Sequence, residues 1–221
     1  MTLEEALEVT RIHSAAGTLG ADAGLMCERP FRAPHHTASA VALVGGGSKA
    51  RPGEISLAHD GVLFLDELPE YDRGTLEALR QPLEDGFVNV VRANAQARYP
   101  ARAMLIAAMN PCPCGHYPDM NRCRCTPAQV SQYQGRISQP LLDRLDLCAD
   151  VTPVDFEGLS SRRIGESTDT IRERVTKVQE LQRERYKNEG IQFNGELKGS
   201  QIEKFCQLDK EGKNLLQMAF E

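Results

Sequence analysis

The sequence predicts an α/β domain built on a parallel sheet, followed by a smaller helical region. Three observations predict it. Gly61-Val-Leu-Phe-Leu-Asp66 and Ala103 to Met109 are short, unbroken apolar runs, the pattern of parallel strands covered on both faces. Helix and turn signals fill the chain around them. After Pro153 apolar content drops and charge rises, so a boundary is expected near residue 153.

Taken in order, Thr2 followed by Glu4 and Glu5 starts a helix over residues 2 to 19, with Leu3, Ala6, Leu7, Val9 and Ile12 at helical spacing. Ala15 to Gly24 is small and Gly-rich, a connector. Arg29-Pro-Phe-Arg-Ala-Pro34 cannot be helix interior, because its prolines restrict the residues before them. Thr37 to Val44 reads as a helix ended by Gly45-Gly-Gly47, and Pro52-Gly53 as a turn. The first buried strand, residues 61–66, is followed by a helix over Thr75 to Leu83, stopped at Glu84-Asp-Gly86. Val88 to Arg92 and Ala97 to Tyr99 flank Ala93-Asn-Ala-Gln96, a hairpin pattern. The second buried strand ends at Asn110-Pro111. A Cys-rich excursion follows, then a helix over Ile137 to Arg144 and a strand over Leu145 to Val151. Beyond residue 153, Asp169 to Lys187 is strongly helical, with Ile171, Val175, Val178 and Leu181 on one side. Further helices are expected over Gln201 to Cys206 and from near Lys213.

The bulk numbers exclude several classes. Among 221 residues, 41% are hydrophobic and 26% charged, which fits a folded core and not a disordered chain. The net charge of −5 gives no chain-wide basic footprint for nucleic acid, although a local stripe can hide in a total. No run approaches the roughly 20 apolar residues of a membrane span, and no secretory signal opens the chain. A cytoplasmic protein without a membrane partner is expected, with its seven cysteines as thiols or metal ligands.

An apolar strand ending in Asp66-Glu67 puts two carboxylates at the carboxyl edge of a parallel sheet, where open α/β folds bind ligands. Successive strand residues point opposite ways. One can serve a magnesium ion and the other an attacking water, so Asp66 is assigned to magnesium and Glu67 to water. The bland alternative is that the pair only caps the strand. Asn110, at the end of the second strand, can hold the water or sense a γ-phosphate; Asn-Pro is also a good turn. Arg144, at a helix end, can act as an arginine finger on a neighbouring subunit. Its alternative is a surface ion pair with Asp143 or Asp146.

These blocks together resemble the magnesium-chelatase-like branch of AAA+ ATPases, in its YifB/ComM-type bacterial family. The resemblance rests on Arg29-Pro-Phe-Arg-Ala-Pro-His-His-Thr37, Pro52-Gly-Glu-Ile-Ser-Leu-Ala-His59, Gly61 to Pro69, Leu79-Arg-Gln-Pro-Leu-Glu84, Ala107-Ala-Met-Asn-Pro-Cys-Pro-Cys-Gly115 and Ile137 to Leu147. It implies an AAA+ P-loop-type parallel sheet core with helices on both faces over residues 1–153, then a truncated helical lid over 154–221. It implies that Asp66 and Glu67 are the Walker B pair, Asn110 is sensor 1 and Arg144 is the finger. It also implies insertions around residues 44 to 58 and 88 to 99. The second is a hairpin whose Arg92 and Arg98 are candidates for nucleic acid phosphates; the alternative is a solvated hairpin. ATP and Mg2+ are the implied cofactors, and a ring, six subunits by expectation, the implied assembly.

The family's Gly-Lys-Ser/Thr phosphate loop falls before the position matching residue 1, and no such segment occurs in this sequence. Its Lon-like N-terminal domain is not present either, and its sensor 2 arginine falls beyond residue 221. The loop is the main phosphate cradle. The chain by itself is therefore expected to be inactive, and the function to belong to a longer parent protein.

Cys112-Pro-Cys114 and Cys123-Arg-Cys125 offer four thiols in a short Pro- and Gly-containing stretch, a set suited to tetrahedral Zn2+. Free thiols or redox disulfides are the alternatives, and His116 is an alternative ligand. Cys27, Cys148 and Cys206 are isolated. His35-His36 reads as structural, near subunit contacts at most. The leading expectation is an ATP-driven motor on DNA, of the branch-migration helicase type. Its competitors are a magnesium-chelatase-type subunit driving metal insertion and a zinc-stabilised interaction module without ATPase activity.

Overall fold

The computed structural model describes residues 1–20, 22–47, 49–92, 95–151 and 165–220; of Arg92 and Ala95 only the backbone is described. It divides into two compact units, Met1–Asp150 and Val151–Glu221.

In the first unit the elements run α1 (Leu3–Ala16), β1 (Phe31–Arg32), α2 (Ala40–Val44), β2 (Gly45–Gly46), β3 (Arg51–Pro52), α3 (Glu54–Leu57), β4 (Val62–Leu65), α4 (Arg73–Ala78), α5 (Arg80–Asp85), β5 (Phe87–Arg92), β6 (Ala95–Pro100), β7 (Met104–Ala107), α6 (Pro127–Gln134) and α7 (Gln139–Leu142). Thr2 and Glu5 cap α1 reciprocally: the Thr2 hydroxyl accepts the Glu5 N–H, and the Glu5 carboxylate accepts the Thr2 N–H at 2.8 Å. Ala6, Val9 and Ile12 bury the inner face of that helix.

The central sheet is parallel, in the order β1-β4-β7. Phe31 stands beside Val62 and Val62 beside Met104; at the far end Leu65 stands beside Ala107. Leu63 and Leu65 are fully buried against a core that includes Leu43, Ile55, Leu76, Leu79 and Leu141. The opposite face carries Phe31 and Met104, each about two-thirds exposed. Gly61 is required where it is, because a Cβ there would lie 2.0 Å from the Pro30 carbonyl oxygen. That oxygen accepts the Val62 N–H at 2.8 Å and starts the β1–β4 pairing. β5 and β6 form the expected antiparallel hairpin, from Phe87 opposite Pro100 to Arg92 opposite Ala95; its turn at Ala93-Asn94 lies outside the described residues.

Several expectations change. The helix expected over residues 75–83 is two short helices meeting at Leu79, with Gly86 in the left-handed conformation that ends the second. The helix expected over 137–144 shrinks to α7. The strand expected over Leu145 to Val151 does not form: the segment is irregular, and Leu147 and Val151 are each 93% exposed. A strand is held by ladder hydrogen bonds to a neighbour, and among the described residues this segment has none. Helices α3 and α6 were not foreseen. For α6 the signal was present, because Thr126-Pro-Ala-Gln129 is a capping box with proline at the first position.

The second unit holds α8 (Thr168–Arg185), a 3₁₀ turn at Asn194–Glu196, α9 (Ser200–Phe205) and α10 (Lys210–Phe220). Tyr186 is its buried centre. The ring meets Phe205 edge-on at 5.1 Å, and the hydroxyl donates to Asn194 Oδ1 at 2.8 Å. Ile171, Val175, Val178 and Leu181 share one side of α8 and remain exposed.

Candidate active site and metal centre

Parallel pairing of β4 with β7 brings two polar strand ends side by side. The Ala108 N–H donates to the Leu65 carbonyl at 2.9 Å, and the Leu68 N–H donates to the Ala108 carbonyl at 3.0 Å. Asp66 and Glu67 therefore leave β4 beside Ala108, Met109 and Asn110 leaving β7. All three polar side chains are exposed. Asp66 Oδ1 accepts the Glu67 N–H at 2.8 Å, and Glu67 sits at φ +51°, a left-handed conformation costly for a residue with a Cβ. That turn swings the Glu67 carboxylate onto His36, whose Nδ1 is 3.0 Å from Glu67 Oε2.

His36, expected to be structural, is the residue that faces this carboxylate. Its ring lies 4.1 Å from that of His35, tilted by 35°, and meets the Tyr71 ring edge-on at 6.4 Å. Tyr71 donates its hydroxyl to the Pro34 carbonyl at 2.6 Å, which fixes the segment carrying both histidines. Burial raises the Tyr71 pKa, and the Asp66 charge adds to it. No local pattern marks His36, because its partner is 31 positions away in sequence.

Arg144 does not pair with Asp143 or Asp146. Its guanidinium bonds the Glu84 carboxylate, and Nη1 donates to the Pro140 carbonyl at 2.6 Å. Asp143 accepts the Gln139 side-chain amide instead. No hydrogen bond or ion pair joins Arg144 to Asp66, Glu67 or Asn110 within this chain. On the hairpin, the Arg98 guanidinium lies 3.6 Å above the centre of the Phe87 ring and stays exposed. The Arg92 side chain lies outside the described residues.

The four cysteines converge. Cys112 Sγ is 3.4 Å from Cys114 Sγ and 3.8 Å from Cys123 Sγ, Cys114 to Cys123 is 3.7 Å, and all four sulfurs lie within 4.8 Å of one another. Tetrahedral zinc with Zn–S of about 2.3 Å places its sulfurs about 3.8 Å apart, so the set fits that ion. All are free thiols. The N–H groups of Arg124 and then His116 bring Cys114 down to about 6. Burial opposes ionisation of Cys112, yet the N–H groups of Tyr117, Cys114 and His116 outweigh it and lower its pKa. Burial pushes Cys125 up to about 12. Cys112 and Cys114 are thus shifted down while Cys123 and Cys125 are shifted up, and a divalent cation would favour the deprotonated form of all four. His116 stands exposed and outside this group.

A second cluster, Glu8, His59 and Asp60, also brings three ligand-type atoms within 4.8 Å, at the amino edge of the sheet. Its hydrogen bonds argue against a cation. His59 Nδ1 accepts the Arg102 N–H at 3.0 Å, so the neutral ring carries its proton on Nε2. That Nε2 faces Glu8 Oε2 at 3.1 Å and Asp60 Oδ2 at 3.4 Å. The Arg102 guanidinium supplies further positive charge, 3.3 Å from Glu8.

Residues 1–159 match the family model described as magnesium chelatase, subunit ChlI, and residues 165–221 match its C-terminal model. The chain belongs to the magnesium chelatase ChlI family. It is 48% identical to the uncharacterized protein YifB of Salmonella typhimurium over 192 residues, 86% of this chain and 37% of that protein. It is 48% identical to the competence protein ComM of Haemophilus influenzae over 193 residues, 87% of this chain and 37% of that protein. The magnesium-chelatase 38 kDa subunit of Acidiphilium rubrum is 29% identical over 117 residues, 52% of this chain and 28% of that protein. The chain thus spans a little over a third of the length of the YifB and ComM relatives. The family and the sheet together bear out the expected α/β core on a parallel sheet, followed by a helical C-terminal region. Among the described residues no helix is long and apolar enough to cross a membrane.

Proposed function

We propose that this ChlI-family chain contributes the water-activating half of an ATP-hydrolysing motor that works as a ring, six subunits by expectation, on DNA. The observation that carries the reading is the convergence of Asp66, Glu67 and Asn110 at two adjacent strand ends. Asp66, exposed and with Oδ1 bonded only to a neighbouring N–H, suits Mg2+, a hard cation that keeps several waters. That ion would neutralise charge on the phosphates of ATP. Glu67 takes the proton of the attacking water, and Asn110 orients that water or the γ-phosphate. Arg144 stabilises the transferring phosphoryl group of a neighbouring subunit, for which it must leave Glu84. Residues 154–221 act as part of a helical lid. Zn2+ belongs at the four thiols.

A competence protein among the relatives and the exposed Arg98 on the hairpin support the DNA reading. The Acidiphilium relative supports a second reading, a subunit that drives metal insertion. Because the chain spans only part of its relatives, these activities belong to the whole protein. Stimulation of its ATPase by branched DNA is expected, and stimulation by a porphyrin-processing partner alone would replace this reading with the second. Glu67→Gln should keep nucleotide binding and lower turnover about 100-fold or more, the scale of a lost general base. Mixing Glu67→Gln with Arg144→Ala subunits should restore part of the activity, since a mixed ring can form interfaces with both residues intact. No recovery in rings that exchange subunits would rule out Arg144 acting across the interface.

A further inference from the structure

Residues 113–125 have little of their own to hold them: none is buried, and the buried thiol Cys112 stands at their entry. The shape of such a loop rests on what joins the thiols. Both of its ends are tied to the carboxyl edge of the sheet. At the entry, Asn110-Pro111-Cys112 puts the first thiol two residues after Asn110. The loop then folds back, so that a Cβ on Gly115 would lie 3.8 Å from Asn110 Oδ1. At the exit, Thr126 follows Cys125 directly and caps α6. Gln134, at the other end of α6, donates its side-chain amide to the Pro111 carbonyl at 3.0 Å. Arg136 then bonds the Pro69 carbonyl and the Glu70 carboxylate, each at 3.1 Å, just beyond Glu67. Loop and helix together form a closed brace from the end of β7 to the end of β4.

We propose that the four thiols hold one zinc-class divalent cation, and that this ion locks the brace so that Asn110 stays aligned with the Asp66–Glu67 edge. The inference rests on reading that edge as the site of ATP hydrolysis. Binding of the ion displaces the thiol protons and turns an exposed loop into a fixed strut. Asn110 and its brace act on the reacting water, not on the bulk of the nucleotide. Metal occupancy therefore sets turnover and leaves nucleotide affinity nearly unchanged.

The test uses the whole protein, loaded with cobalt(II) as the probe. One cobalt per chain with thiolate charge-transfer and tetrahedral ligand-field absorption is expected, and a spectrum without thiolate bands overturns the metal site. Gln134→Ala cuts the tie between α6 and Pro111 but touches no thiol. It should keep the cobalt spectrum and lower kcat about fivefold, the factor for one hydrogen bond of about 1 kcal/mol, with KM for ATP within about twofold. Cys123→Ser with Cys125→Ser should lose the ion and lower kcat about tenfold or more with nucleotide affinity held. Should that double variant fail to fold, the Gln134→Ala result decides. Unchanged kcat in Gln134→Ala, or a parallel loss of affinity and turnover, overturns the coupling. Wild-type protein without ATP turnover overturns the functional reading and the coupling with it, while the cobalt spectrum still decides the metal site.

Discussion

At the carboxyl edge of the sheet, Asp66, Glu67 and Asn110 are exposed, and the contact that engages a carboxylate from outside the turn is that of His36 with Glu67, at 3.0 Å. At the amino edge, Glu8, His59, Asp60 and Arg102 carry comparable chemistry but turn inward on one another. His59 is fully buried, with one ring nitrogen on the Arg102 N–H and the other on two carboxylates. The backbone extends this closure: the Asp60 N–H donates to the Arg102 carbonyl at 2.8 Å, and Arg29 bonds the Asp60 carbonyl. Residue types alone would rank the two clusters together as candidate sites. What separates them is that the amino-edge cluster already pairs most of its donors and acceptors, with buried Asp60 Oδ2 left without a hydrogen bond. A matched cluster braces the fold, and an unmatched one is available to a ligand.

The largest expected effect breaks the closed edge. His59→Ala leaves the Arg102 N–H without its acceptor and removes a ring from a fully buried position. It should destabilise the protein by about 2–3 kcal/mol, read as a lowered urea midpoint. A loss below about 0.5 kcal/mol would mean that the cluster does not brace the fold.

At the open edge the matching change acts on turnover. His36→Ala frees Glu67 Oε2 from a competing donor and should raise basal ATP turnover of the whole protein about fivefold, the equivalent of one hydrogen bond. A fall instead would show that His36 orients Glu67 for its task. The stability of the same edge should be nearly indifferent to its carboxylates. Asp66→Asn and Glu67→Gln should each shift unfolding by no more than about 0.5 kcal/mol, because both side chains are exposed, Glu67 makes no capping bond with its carboxylate, and an asparagine oxygen can still accept the Glu67 N–H. A larger loss from either would place the pair among structural residues.

The smallest effect concerns pH. Burial raises the pKa of Asp60, with Glu5 and Glu8 adding to it and His59 and Arg102 opposing. The folded state thus holds this proton more tightly than the unfolded chain does. The stability contributed by Asp60 is complete below the usual carboxylate range and is lost as pH rises through its raised folded value. Asp60→Asn removes that loss. From about pH 4 upward, its urea midpoint should climb more steeply with pH than that of the wild type. Parallel curves would show that Asp60 titrates alike in both states.

Local signals in the sequence determined much of this molecule. The apolar runs before Asp66 and Asn110, the hairpin repeat of Val88 to Tyr99, the cap at Thr2 and the paired C-x-C thiols each need only their neighbours to be read. Backbone propensity and side-chain periodicity act over a few residues. The tertiary structure alone decided what those signals meet. Parallel pairing set Asn110 beside the Asp66–Glu67 turn, and the fixed segment after β1 delivered His36 to Glu67. Arg144 took Glu84, 60 residues away in sequence, over the acids beside it, with its other nitrogen on the Pro140 carbonyl. Leu145 to Val151 has the composition of a strand and none of its bonds. A ladder needs a second chain segment at about 4.8 Å, and no sequence window contains its own partner.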